Sequence, residues 1–168
     1  VQFNLLDYDE TKLVNDIIDK NLRKCDHYKS YVHMKQIYKL KNLLEKGIAF
    51  HHSGVLPVFR EIVEILYGYK DHNNKPKPLV KVLFATETFA IGVNMPTKTV
   101  VFTNLEKYTG GGLRLLYTHE YLQMAGRAGR RGIDKEGLVI LLPNIHMLPT
   151  INIMKNLIQG EPQTIVSK

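Results

Sequence analysis

The sequence predicts an α/β fold with a mostly parallel sheet, and two observations carry that prediction. The strand-like segments are short, largely continuous apolar runs: IAF at 48–50, VKVLFA at 80–85, TVVFTN at 99–104 and LVILLP at 138–143. Runs of that kind suit strands covered on both faces, as in a parallel sheet. Between them lie segments whose apolar residues recur every three to four positions, the pattern of the helices that cover such a sheet.

Taken in chain order, Asp9 or Thr11 can cap a first helix that carries Leu13, Val14, Ile17, Ile18 and Leu22 on one side. A second helix runs from about Val32 to Glu45, with Ile37, Leu40 and Leu44 inward, and Gly47 ends it. The strand 48–50 leads to His51 and His52. Pro57 then opens a helix with the stripe Phe59, Ile62, Val63 and Leu66, since proline lacks no N–H that a first turn needs. DHNNKPKP, 71–78, reads as a polar surface loop. Gly110, Gly111 and Gly112 read as a mobile loop, and His119–Gly129 as helical. A last helix, Ile151–Ile158, stops at Gly160. There is no internal repeat, so the 168 residues read as one domain, 1–168, with a helical lead-in at 1–46.

Composition narrows the function. Apolar residues make up 44% and charged residues 23%, an ordinary globular balance that excludes a disordered chain. No apolar run reaches the roughly 18 residues of a membrane helix, so no membrane partner is expected. Lys and Arg number 23 against 16 Asp and Glu, a net charge of +7 that favours a polyanionic partner. The single cysteine, Cys25, excludes an internal disulfide and a cysteine-based metal site; in line with Val14, Ile18 and Leu22, it reads as a small core residue. His51 and His52 are adjacent on a strand and face opposite sides, which argues against a shared metal ion. Val1 in place of Met marks the chain as a piece of something longer.

Open parallel sheets bind ligands beyond the carboxyl ends of their strands, and polar residues cluster there. After 80–85, Thr86 and Thr88 offer hydroxyls and N–H groups, Gly92 permits close backbone approach, and Asn94 can pair with a sugar hydroxyl. A plain turn explains these residues equally well. After 48–50, Ser53 and Gly54 precede a helix N-terminus, which makes either an anion site or an ordinary cap. QMAGRAGRRG, 123–132, is the most informative stretch. On a continuous helix Gln123, Arg127 and Arg130 share one face, with Gly126 and Gly129 leaving room beside them. Paired guanidinium forks are suited to phosphate. The reading requires these arginines to stay out of pairs with the domain's own acids. No GxxxxGK(S/T) phosphate loop occurs, and the Asp9-Glu10 pair opens a helix instead of ending a buried strand, a poor place for Mg²⁺. The chain has groups to complete a nucleotide site but not those that build one.

That combination resembles the second motor domain of a superfamily two helicase. QMAGRAGRRG is similar to its motif VI, ATETFAIGVNMP (85–96) to motif V, and GIAFHHSGVLPVFREIVEILY (47–67) to motif IVa. The resemblance is strongest to the superkiller type of DExH-box RNA helicase, the group that feeds RNA to the exosome, and extends from about Asp9 to Lys168. It implies a RecA-like, P-loop NTPase-type three-layer sandwich. It implies an arginine finger at Arg130, its γ-phosphate companion at Arg127 and a leading polar contact at Gln123. It implies an ATP ribose contact at Asn94, beside Gly92, and RNA backbone contacts at Gly54, Thr86 and Thr88. The expected partners are RNA, the first RecA-like domain, which carries the P-loop, the DExH box and the Mg²⁺ of ATP·Mg²⁺, and exosome or adaptor proteins, all inside the cell. The motif IV strand is not recognisable in VQFNLLD, so the sheet should lack that strand. On this reading the chain alone does not hydrolyse ATP. A DNA-repair helicase domain and a non-catalytic RNA-binding module are the alternatives; Glu87, Phe89 and Arg131 favour the RNA group over the DNA one.

Overall fold

Asp7 caps the first helix, α1 (Tyr8–Leu22), in the computed structural model, which describes residues 3–25, 35–87, 96–142 and 149–160. Asp7 Oδ1 accepts from the Glu10 N–H at 2.7 Å, and Glu10 Oε2 accepts from the Asp7 N–H at 3.2 Å. This reciprocal box satisfies two donors that the helix itself cannot. Asp9 and Thr11, the caps expected from the sequence, lie inside the first turn, where the Thr11 hydroxyl donates back to Asp7 O. Glu10 is buried, and Lys81 Nζ, 3.2 Å from its Oε1, offsets the cost of burying a carboxylate.

The chain divides into two compact units, Val1–Phe89 and Ala90–Lys168. In the first, Val14, Ile18 and Leu22 of α1 meet Ile37, Leu40 and Leu44 of α2 (Lys35–Leu44) and Phe59, Ile62, Val63 and Leu66 of α3 (Pro57–Tyr67) in one core. These are the stripe residues that helical periodicity names. The expected start of α2 at Val32 lies outside the described residues. Cys25 lies past the end of α1, half-buried and outside the core cluster. Strands β1 (Ile48–His51) and β2 (Val82–Ala85) pair in parallel, from Ile48 opposite Val82 to His51 opposite Ala85. Gly47 takes φ +77 between α2 and β1, and its carbonyl accepts from the N–H groups of Lys81 and Val82. Buried His51 bonds Glu64 Oε1 at 2.8 Å through Nε2, tying β1 to α3. The 71–78 segment is an ordered turn in which Asp71 Oδ1 accepts from the N–H groups of Asn73 and Lys75.

In the second unit, β3 (Thr99–Phe102) and β6 (Leu138–Leu141) pair in parallel, from Thr99 opposite Leu138 to Phe102 opposite Leu141. The glycines read as a mobile loop turn a hairpin instead. They join β4 (Glu106–Thr109) to β5 (Gly112–Leu115), with Gly112 at φ +125, a value that residues with a Cβ rarely adopt. Helices α4 (Thr118–Ala125) and α5 (Ile151–Gln159) pack against each other. The core of this unit is Phe102, Leu105, Leu116, Tyr121 and Leu157, with the Phe102 and Tyr121 rings stacked at 5.0 Å. Gly160, at φ +76, ends α5 as expected.

The α/β class and the parallel pairing hold, as a RecA-like fragment requires. Among the described residues the strands form three two-stranded ladders, β1–β2, β3–β6 and β4–β5, in place of one continuous sheet. The apolar runs promise strands covered on both faces, yet Val82 and Phe84 of β2 and Leu138 and Ile140 of β6 are exposed at alternate positions. Each parallel pair thus keeps one apolar face open. Phe59 is fully buried, so Phe59→Ala should cost about 3–5 kcal/mol and Asp7→Ala about 1 kcal/mol. Urea unfolding midpoints at unchanged slope check both, and equal costs for the two would contradict the placement of the core.

Candidate nucleotide and nucleic-acid site

The helix expected to reach Gly129 stops at Ala125. Gly126 is its C-cap, and Gly129 takes φ +88, which no continuing helix allows. Arg127 and Arg130 therefore leave the helix and share no helical face with Gln123, which lies exposed on α4. A backbone clasp takes the place of the helix. The Thr97 N–H donates to Arg127 O at 2.9 Å and the Gly129 N–H donates to Thr97 O at 2.7 Å, so Ala128 pairs with Thr97 as a parallel bridge. Leu138 N–H donates to Lys98 O at 3.1 Å and carries the same alignment into β6. The clasp sits at the amino ends of β3 and β6, not at the carboxyl ends where open parallel sheets bind ligands. Gly129 and Gly137 close the turn backbone against backbone. A Cβ on Gly129 would stand 3.1 Å from Gly137 Cα, and one on Gly137 would overlap the Ala128 carbonyl.

Inside this turn Arg130 forks the carboxylate of Asp134. Nε donates to Oδ2 and Nη2 to Oδ1, each at 2.8 Å, and the Arg130 N–H adds a third bond to Oδ2 at 3.0 Å. The N–H groups of Ile133 and Asp134 return to Arg130 O, which folds the segment onto itself. The Asp134 side chain is only 8% exposed and that of Arg130 is 28%. The guanidinium, with help from the Arg130 N–H, holds the Asp134 carboxyl down at about 2. This contradicts the expectation that Arg130 stays clear of the domain's own acids, and it removes the support that an unpaired Arg130 would have given the phosphate reading. An acid four residues on, in a turn closed by glycines, comes directly under the fork. Arg127 is half-buried beside the clasp.

A second fork anchors the other end of α4. Arg114 of β5 donates through Nη1 and Nη2 to Oε2 and Oε1 of Glu120, both at 2.8 Å. Lys107 Nζ lies 2.6 Å from Oε1, and the Tyr117 N–H donates to Oε2 at 2.8 Å. The Arg114 guanidinium also lies 3.8 Å over the Tyr117 ring, a cation–π contact. Arg114 first, then Lys107, holds the Glu120 carboxyl well below the usual carboxylate range. The hairpin is thereby fastened to the helix that leads into the arginine turn.

In the first unit Gly54 and Thr86 follow β1 and β2, so the parallel register brings both to the same carboxyl end. Both are exposed. The Gly54 N–H donates to His52 Nδ1 at 3.1 Å, and the Thr86 N–H to His51 O at 3.3 Å. Ser53 does not cap α3, whose N-cap is Leu56, with no side-chain bond. Thr88, Gly92 and Asn94 lie outside the described residues.

No family model matches the chain. Relatives do. The chain is 41% identical over 165 residues, 98% of its length, to the antiviral helicase SKI2 of Saccharomyces cerevisiae. It is 41% identical over 171 residues, 99% of its length, to the human exosome RNA helicase MTR4. To a DExH-box ATP-dependent RNA helicase of Arabidopsis thaliana it is 46% identical over 134 residues, 80% of its length. The chain belongs to the superkiller-type DExH-box RNA helicases. It spans 12% of the yeast relative, 13% of the plant one and 15% of the human one.

Within this helicase segment the sequence singled out Arg127 and Arg130 but missed what holds them. Thr97 carries no side-chain signal for its role, which is played by its backbone. Asp134 and Glu120 were legible in principle: one is an acid four residues beyond an arginine, the other an acid in the first turn of a helix. Gly137 could have been suspected as a glycine directly before an apolar strand. The Asp134 pair has a pH signature. Its carboxyl lies below the ordinary 3.8, so the pair adds stability above that value and loses it as pH falls towards about 2. The stability gap between the wild type and Asp134→Asn should be constant above about pH 5 and close on acidification. Thermal melts across that range check it, and a gap that survives at the acid end would contradict the pair.

Proposed function

We propose that this chain is the second motor domain of an ATP-dependent RNA helicase, and that Arg127 and Arg130 meet the phosphates of an ATP carried by the first. The observation that supports the reading most is the turn 126–137: stitched to Thr97 and closed by Gly129 and Gly137, it carries Arg127 and Arg130 three residues apart. When bound, ATP supplies the transferable phosphoryl group, and its Mg²⁺ belongs to the first motor domain. Arg130 is the arginine finger, offsetting charge on that group, with Arg127 beside it and Gln123 as the leading polar contact. Asn94, with Gly92, takes the ribose. A finger of this kind contributes about 10³ to 10⁵ in rate, or roughly 4 to 7 kcal/mol.

Gly54, Thr86 and Thr88 take the RNA backbone. The shared strand end and exposure of Gly54 and Thr86 support a common contact, and backbone contacts read no sequence. Coupling these contacts to nucleotide closure gives ATP-driven movement along RNA, in a cellular protein that works with RNA-decay partners of the exosome kind. The relatives' names favour RNA over DNA as the track.

In the full-length protein Arg130→Ala should lower RNA-stimulated ATP hydrolysis by about 10³ while ATP-free affinity for single-stranded RNA is unchanged. Joint loss of both activities would assign Arg130 to structure instead. The chain on its own should show no ATP turnover. Turnover by the purified chain that Arg130→Ala abolishes would contradict the division of labour between two motor domains.

A further inference from the structure

We propose that Asp134 is the positioning residue of the arginine finger: it holds the Arg130 guanidinium by its Nε side and so sets the direction of the Nη1 edge towards a phosphoryl group. This inference rests on the motor reading and adds a residue that reading leaves out.

A guanidinium is planar, so fixing two of its nitrogens fixes the plane and the direction of the third. Asp134 does this with two bonds of 2.8 Å, to Nε and Nη2. A third bond, from the Arg130 N–H to the same carboxylate, ties the side chain to its own backbone. The two returning bonds from Ile133 and Asp134 to Arg130 O keep the carboxylate from drifting away from the fork. The backbone around it is held by the bond from Gly129 to Thr97 and by the close approach of Gly129 to Gly137. The Asp134 side chain is nearly buried while that of Arg130 is partly exposed, so the acid works from inside the turn. Arg130 keeps the Asp134 carboxyl ionised at every working pH. A long arginine left alone samples many rotamers, and a catalytic group misplaced by even about 1 Å can lose up to about 10² in rate. Orientation of this sort acts on the chemical step and not on ground-state capture of ATP, most of which falls to the first motor domain.

Steady-state hydrolysis of ATP by the full-length protein, with a single-stranded oligoadenylate as the RNA, tests the assignment. Asp134→Asn keeps one acceptor but turns an amide donor towards an arginine donor. It should lower kcat about tenfold with KM and RNA affinity unchanged. Asp134→Glu restores a carboxylate and should recover part of the loss. In an Arg130→Ala background Asp134→Asn should cost nothing further, because the acid acts only through the arginine. An unchanged or raised kcat in Asp134→Asn, a Glu variant no better than the Asn one, or an equal loss in both backgrounds overturns the assignment. If Arg130→Ala itself leaves kcat intact, the motor reading falls and this inference with it. If Arg130→Ala loses activity and Asp134→Asn does not, only this inference falls.

Discussion

Two backbone hydrogen bonds to Thr97 decide where everything else in the second unit can act. They convert the end of α4 from a continuing helix into a strand-like segment laid beside the start of β3. Side chains at that point are no longer carried by a helix that can fray or slide. They stand on a ladder that runs directly into the β3–β6 register. The glycines follow from this constraint. Gly129 uses its positive φ to turn the chain just after the Thr97–Ala128 bridge, and Gly137 needs to lack a Cβ because the Ala128 carbonyl occupies that space. A phosphate site made of arginines benefits from such support, since the charges must be in place before the ligand arrives.

The same solution to an electrostatic problem occurs twice around α4. Arginines crowd this unit, and a guanidinium near others is repelled unless an anion lies between them. Glu120 at the start of the helix takes Arg114 and Lys107; Asp134 beyond its end takes Arg130. Both acids are pulled towards full ionisation by their partners. The consequences differ. At Glu120 the pairing is mechanical, holding the hairpin to the helix. At Asp134 the partner is the residue whose orientation the proposed chemistry depends on.

Much of this architecture was legible in the sequence, and for a physical reason. The stripes of α1, α2 and α3 are set by burial alone, and Val14, Ile18, Ile37, Leu40, Phe59 and Ile62 all lie in the core that periodicity assigns them. Gly47 and Gly160, expected as helix stops, both take positive φ. Reading failed where backbone hydrogen bonding overrides side-chain pattern. QMAGRAGRRG has a plausible helical face on paper, but the bond from Gly129 to Thr97 spans 32 positions and leaves no trace in local periodicity. The three glycines at 110–112 suggested freedom, and the antiparallel pairing of the flanking strands turned them into a hairpin. The arginines of the proposed site stand out in the sequence by their chemistry. Their supports were missed, because a carboxylate that holds an arginine looks in sequence like any surface acid.

The most direct test is a structure of the full-length protein with RNA, ADP and a metal fluoride that mimics the transferring phosphoryl group. The account predicts that the bonds between Thr97 and the arginine turn persist, that Arg127 and Arg130 both come within about 3 Å of the fluoride or the adjoining phosphate oxygens, and that Asp134 still grips Nε of Arg130. A complex in which the turn has peeled from Thr97, or in which both guanidinium groups face away from the nucleotide, would contradict it.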